Sequence, residues 1–180
     1  GGMITTNQKK IFNKILLKTN LGALKLKNKV FNQFIDTGFN YRLSEIQCLI
    51  GQKQIDKLKN KILLRNSIFK EYSAELIKFG FIPQNIYRNH LSNIQSCAFL
   101  VPEKVNRDKL IFYLKKNNID STIGTYSLSN TIYYKNKYKS PQTNSNYLFK
   151  NCISLPCHEN VDLKKITRII KFYCEISNKK

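Results

Sequence analysis

Cys152, Cys157 and His158 stand close together in the chain, and thiol and imidazole groups are zinc ligands. A structural zinc site needs four such ligands at short spacing. No Cys-x-x-Cys occurs, and the only other histidine is His90, so the set falls short of a metal site. His158 follows Leu155-Pro156 and has no named partner, which reads as a surface residue rather than a general base. Tyr126, Tyr133, Tyr134 and Tyr138 are interleaved with lysines, an arrangement on which single-stranded bases can stack. A tyrosine-rich loop beside a small domain explains the same residues. No phosphate-binding loop, G-x-G-x-x-G, G-x-S-x-G or H-E-x-x-H is present. Ser44-Glu45-Ile46-Gln47 has the spacing of a capping box, in which the serine hydroxyl and the glutamine side chain each satisfy a helix N-terminal amide.

The elements that would carry these residues follow from periodicity. Met3 to Thr6 predicts a short strand. Asn7 predicts a cap for a helix with Ile11, Phe12, Ile15 and Leu16 on one face. Residues 20–37 read as irregular and polar. From Ser44, apolar residues Ile55, Leu58, Ile62, Phe69, Tyr72 and Leu76 recur at helical spacing to about Phe79, where Gly80 ends the pattern. That predicts one helix of about 35 residues, against a usual length of about 12, with Gly51 or Asn60 as places to bend. Beyond it the spacing predicts strands over 94–101, 119–126 and 152–155. Helices capped by Asn106 and Asp162 fall between and after them, a short helix lies near 144–150, and 127–140 reads as a loop. Alternating strands and helices predict an α/β class with a small α+β lobe, a sheet covered by helices.

Composition bounds the rest. The chain has 180 residues, 42% of them hydrophobic, enough for a packed core. Thirty-one Lys+Arg against 11 Asp+Glu give a net charge of +20, which raises nucleic acid as a partner. The basic residues are 26 Lys and only 5 Arg, and Lys, Asn and Ile together make 69 residues. Codon bias explains such a composition, and the lysines form no single block. Nucleic acid is therefore not the expected partner, since base and phosphate readers lean on Arg. No run of about 20 apolar residues suits a membrane span. No export signal is seen, and the five cysteines, an odd number, fit reduced thiols in a cytoplasmic protein.

Gly38-Phe39-Asn40-Tyr41-Arg42-Leu43-Ser44-Glu45-Ile46-Gln47 resembles the G-[YF]-N-[YF]-R-[ML]-[ST]-x-[IL]-Q signature of the DegT/DnrJ/EryC1/StrS sugar aminotransferases. Three further stretches resemble that family in the same order: Gly1 to Asn7, then Asn106 to Leu110 with Ile119 to Tyr126, then Ile153 to Pro156. The resemblance implies the C-terminal portion of a fold-type I transferase dependent on pyridoxal 5'-phosphate. It assigns 1–35 to the end of a large cofactor-binding domain, 36–80 to the signature loop and a long interdomain helix, and 81–180 to a small domain.

Members of that family move an amino group, typically from glutamate, to a keto group of a nucleotide-linked deoxysugar for glycan biosynthesis, and they work as homodimers. The resemblance assigns Asn40 to the cofactor phosphate of the neighbouring subunit. It assigns Arg42 to fixing the loop or holding an anionic group, and Tyr126 to the loop that borders the substrate. Family members often carry a histidine shortly after this tyrosine, where Ser129 stands here. The family's Schiff-base lysine precedes the glycine pair. The expectation is therefore that no catalytic residue lies in this chain and that the chain alone is inactive. Two other readings remain: a non-catalytic remnant or accessory subunit of such an enzyme, and a basic nucleic-acid-binding domain.

Overall fold

The computed structural model describes residues 2–25, 32–87, 90–140 and 142–177. The chain divides into two compact units, Gly1–Lys57 and Leu58–Lys180.

In the first unit, helix α1 (Lys9–Thr19) is followed by an antiparallel hairpin, β1 (Ala23–Lys25) and β2 (Asn32–Phe34), in which Ala23 pairs with Phe34 and Lys25 with Asn32. Residues 26–31 lie outside the described residues. Three expectations are corrected here. Residues 3–6 form no strand; Thr6 instead accepts a hydrogen bond from the Gln8 amide at 3.2 Å. The helix therefore starts one residue after Gln8, without a side-chain cap from Asn7. The stretch expected to be irregular holds the hairpin, whose three-residue strands are too short to show a period of two. Helix α2 (Glu45–Asp56) closes the unit, and its capping box forms as its spacing demands.

The second unit opens with α3 (Leu58–Leu76), extended by a 3-10 turn over Ile77–Phe79 and ended by Gly80 at φ +83°, a left-handed stop that only glycine adopts without cost. The periodic stretch is thus two helices rather than one. The interruption is at Lys57, not at Gly51 or Asn60. Four strands follow: β3 (Ile82–Pro83), β4 (Cys97–Leu100), β5 (Thr122–Ile123) and β6 (Cys152–Leu155). They form one antiparallel sheet in the order β3-β4-β6-β5. Helix α4 (Arg107–Lys116) lies between β4 and β5 in sequence. Helices α5 (Ile132–Lys137) and α6 (Thr143–Asn151) come before β6, and α7 (Leu163–Ser177) closes the chain. The expected strand over 119–126 shrinks to Thr122–Ile123, and the expected loop over 127–140 contains α5.

The core is built where helical and strand periods meet. Alternate residues Cys97 and Phe99 of β4 are buried. Phe99 stacks on Phe69 at 5.5 Å and meets the edge of Tyr72 at 6.2 Å, which fixes α3 on the sheet. Leu110 and Leu114 of α4, and Ile166, Ile170 and Cys174 of α7, recur at intervals of four and are buried. Each fully buried Leu or Ile contributes about 1.5–3 kcal/mol. The caps of these helices are side chains: Asn106 accepts from the Lys109 amide at 2.9 Å, and Asp162 accepts from the Lys165 amide at 2.9 Å.

Candidate functional site

The signature segment Gly38–Gln47 is positioned by the end of α1. The Phe39 amide donates to the Lys18 carbonyl at 2.8 Å, the Leu21 amide to the Phe39 carbonyl at 3.1 Å, and the Tyr41 amide to the Thr19 carbonyl at 3.0 Å. Asn20 and Asn40 form an antiparallel bridge. The backbone carrying Asn40 is thus held on both sides of that residue.

Two glycines make the approach possible. A Cβ on Gly38 would collide with the Gly22 amide nitrogen and stand 2.8 Å from the Leu17 carbonyl oxygen, and a Cβ on Gly22 would collide with the Asp36 carbonyl. Gly22 also has φ +71°. Lys18 completes the frame: its Nζ donates to Asp36 Oδ1 at 2.8 Å, to the Thr37 carbonyl at 2.9 Å and to Thr37 Oγ1 at 3.1 Å. That hydrogen bond from Lys18, with one from the Thr37 amide, holds the Asp36 carboxyl below its ordinary 3.8.

On this frame the side chains face outward in a defined way. Phe39 and Tyr41 stack with ring centroids 5.2 Å apart. Arg42 Nε donates to Asn40 Oδ1 at 3.0 Å. Ser44 Oγ accepts from the Gln47 amide at 3.3 Å, and Gln47 Oε1 accepts from the Ser44 amide at 3.0 Å. Asn40 and Arg42 are therefore brought together, and Asn40 is exposed to solvent. Its Oδ1 is taken, and its Nδ2 has no acceptor among the described residues. A neutral, outward amide donor beside a guanidinium is suited to an anionic oxygen.

Tyr126 belongs to the second unit. It is exposed and stacks on Phe149 at 6.1 Å. The next residue anchors the loop: Ser127 is buried, donates to Asn146 Oδ1 at 2.6 Å, and lies 3.0 Å from Ser129 Oγ. Ser129, at the position of the expected histidine, is thus engaged within its own loop.

Sequence reasoning missed the joint behind this loop. The Cys152 carbonyl, at the start of β6, accepts from the Gly124 amide at 2.8 Å and from Arg107 Nη1 at 3.0 Å. Arg107 is buried, bonds Asp108 Oδ1 through Nε at 2.7 Å, and sits over the Phe149 ring at 5.9 Å. A Cβ on Gly124 would collide with Cys152 Sγ. Three of the segments noted in the sequence thus converge on one carbonyl. The signal was their collinearity, since an Arg at the first turn of a helix is unremarkable alone. Cys152, Cys157 and His158 do not gather: among the described residues no group of three or more His, Cys, Asp or Glu is placed to hold a metal ion. No helix among them is long and apolar enough to cross a membrane.

The model of the DegT/DnrJ/EryC1/StrS aminotransferase family matches residues 1–173. A UDP-4-amino-4,6-dideoxy-N-acetyl-beta-L-altrosamine transaminase of Campylobacter jejuni subsp. jejuni serotype O:23/36 is 27% identical over 177 residues, covering 91% of this chain and 44% of that protein. The chain therefore spans about half the length of the curated relatives it matches. Among solved structures, Helicobacter pylori PseC, an aminotransferase involved in the biosynthesis of pseudoaminic acid, superposes with a TM-score of 0.85 at 21% identity, covering 94% of this chain and 47% of its own. The PLP form of Spr1654 from Streptococcus pneumoniae superposes with a TM-score of 0.79 at 18% identity, covering 99% of this chain and 46% of its own. At these identities the superpositions establish the fold.

Proposed function

Since the chain belongs to the DegT/DnrJ/EryC1/StrS aminotransferase family, we propose that it forms the C-terminal portion of a pyridoxal-phosphate-dependent aminotransferase acting on a keto group of a nucleotide-linked sugar. In this reading residues 1–35 close the cofactor-binding domain, 36–80 carry the signature loop and the linking helices, and 81–180 form the small domain. The exposed apolar side chains of α1 (Ile11, Phe12, Leu16) and α2 (Ile46, Leu49, Ile50) support it, because surfaces of that kind are ordinarily covered by further protein.

The observation that carries the proposal is the Arg42–Asn40 hydrogen bond on a loop clamped to α1. A cofactor phosphate needs fixed donors, and the residues present fit that need: Asn40 offers Nδ2 outward, and Arg42 holds the amide in that sense. Pyridoxal phosphate, when bound, supplies the electron-withdrawing ring on which amino-group transfer depends. Asn40 then binds a phosphate oxygen belonging to the neighbouring subunit of a homodimer, adding a donor without adding charge. Arg42 orients it. Tyr126, propped on Phe149, borders the sugar and helps exclude water. Glutamate is the amino donor by the family's general habit.

The test is to titrate pyridoxal phosphate into the assembled enzyme and to follow amine transfer to UDP-linked 4-keto-6-deoxy sugars by mass. Stoichiometric cofactor binding and an aminated sugar are expected. An assembled protein that binds no pyridoxal phosphate would overturn the reading.

A further inference from the structure

Helices α4 and α7 pack against one another in the second unit, and their outer faces form an open groove of about 460 Å³ that has no part in the site above. Lys109, Phe112, Tyr113 and Lys116 of α4 line it, at spacings of three and four that put them on one helix face. Tyr173 and Ile176 of α7 line it from the other helix. The two tyrosines are half-buried and meet with ring centroids 5.0 Å apart. Phe112 and Ile176 are exposed. Lys104, just before α4, adds a third cation.

The charge around this apolar strip has one sign. Among the described residues no carboxylate lines the groove. Two acids of the same helices are held by other cations: Asp108 is bonded to Arg107 at 2.7 Å, and Glu175 lies 3.9 Å from Lys171. Lys104, Lys109 and Lys116 form no ion pair among the described residues. Lys109 and Lys116 stand two helical turns apart, about 10 Å along the axis. Lysines that are scattered in the sequence are thus gathered by the fold around exposed apolar side chains.

We propose that this groove docks an acidic amphipathic helix of a partner protein. The apolar side of that helix covers Phe112 and Ile176, and carboxylates two turns apart along its edge face Lys109 and Lys116. Charge selects this occupant over a second copy, because a chain of net charge +20 repels its own kind. The rings select it over nucleic acid. A stacking platform offers successive open faces to bases, whereas Tyr113 and Tyr173 are turned to each other and Phe112 alone of the lining aromatics is exposed. The lining also holds no arginine, the residue on which base and phosphate readers lean. The inference does not depend on the aminotransferase reading.

The experiment measures, by fluorescence anisotropy at physiological ionic strength, the binding of two labelled peptides to the assembled enzyme. One is an amphipathic helix of Leu and Glu; the other has Ser in place of each Leu and the same length and charge. The Leu/Glu helix should bind, and the Ser/Glu peptide should bind at least about tenfold more weakly for want of apolar anchors. Lys109→Glu with Lys116→Glu should weaken the Leu/Glu helix by about tenfold or more, since like charges then face each other. That double variant should instead bind a Leu/Lys helix better than the parent does. Phe112→Ala, at an exposed position that leaves the fold intact, should weaken binding by about fivefold. Lys70→Glu with Lys165→Glu changes the net charge equally at exposed lysines outside the groove, and should weaken binding by less than about twofold. Equal losses in the two lysine pairs would show attraction by net charge alone and overturn the proposal. So would an oligothymidine strand that binds more tightly than the Leu/Glu helix and is released by the groove variant. Lys109 and Lys116 amines that resist acylation in the assembled enzyme would also overturn it, by showing a face already covered by the rest of the protein or by a second copy.

Discussion

Arg42 Nε donates to Asn40 Oδ1 at 3.0 Å. A guanidinium carries only donors, so the amide atom that faces it is the oxygen, and the amide nitrogen faces away. The arginine thereby selects which end of Asn40 is offered to a ligand. Asn40→Asp tests this selection. The carboxylate would keep Arg42 as a partner but would present an anionic acceptor where a phosphate needs a donor. Loss of a hydrogen bond to a charged group costs about 1.5–3 kcal/mol. Pyridoxal phosphate affinity of the assembled enzyme should therefore fall by about 10- to 100-fold, with the fold unchanged by circular dichroism.

Gly38 is required by a backbone crossing. Gly38→Ala would drive its methyl into the Gly22 amide and the Leu17 carbonyl. Backbone atoms yield less than side chains, so a cost of at least about 2 kcal/mol is expected. Hydrogen exchange at the Phe39, Leu21 and Tyr41 amides, whose bonds make the clamp, should speed up first. Unchanged protection at those three amides would contradict the role given to Gly38.

Arg107 joins α4, β6 and the Gly124 turn through the Cys152 carbonyl. Arg107→Met fills much of the same space but cannot donate. Cys152 would keep the Gly124 amide alone, and Asp108 would lose its partner. Thermal or urea unfolding should show a loss of about 1.5–3 kcal/mol, the worth of charge-assisted bonds. The Tyr126 loop should become more susceptible to proteolysis before global unfolding.

Asp36 supplies a pH dependence. Its folded carboxyl titrates below the ordinary 3.8, chiefly because Lys18 donates to it. A depressed carboxyl contributes stability that is present above the unfolded value and lost as pH falls through the folded one. The clamp should therefore hold at neutral pH and loosen only below about pH 4, the range of an ordinary aspartate. NMR titration of the Asp36 carboxyl should give a midpoint below 3.8 that moves up in Lys18→Met. Identical midpoints in the two proteins would contradict the assignment.

Where a side chain caps its own helix, the sequence was readable. Ser44 with Gln47, Asn106 and Asp162 behave as their spacing demands, and Cys152–Leu155 forms the strand its apolar run implies. Elements held by tertiary pairing were not readable. Ile82–Pro83 becomes a strand only because Leu100 and Phe99 lie beside it. Thr122–Ile123 is fixed by Ser154 and Ile153. The break at Lys57 carries no glycine or proline to announce it. For the site, the family resemblance of Gly38–Gln47 pointed to Asn40 and Arg42, but their direct bond depends on a loop geometry set by Gly22, Gly38 and Lys18, far apart in sequence. Arg107 was passed over because its partner is a backbone carbonyl, which no residue type reveals.

The most direct test of the account is a double-mutant cycle on pyridoxal phosphate affinity in the assembled enzyme, using Asn40→Ala, Arg42→Leu and the pair. Asn40→Ala should weaken binding by about tenfold or more, from the loss of one charge-assisted bond. Arg42→Leu should weaken it less, and the double variant should match Asn40→Ala alone, because the arginine acts through the amide. Affinity unchanged by Asn40→Ala, or an Arg42→Leu effect that adds in full to it, would contradict the claim that this loop presents Asn40 to the cofactor phosphate.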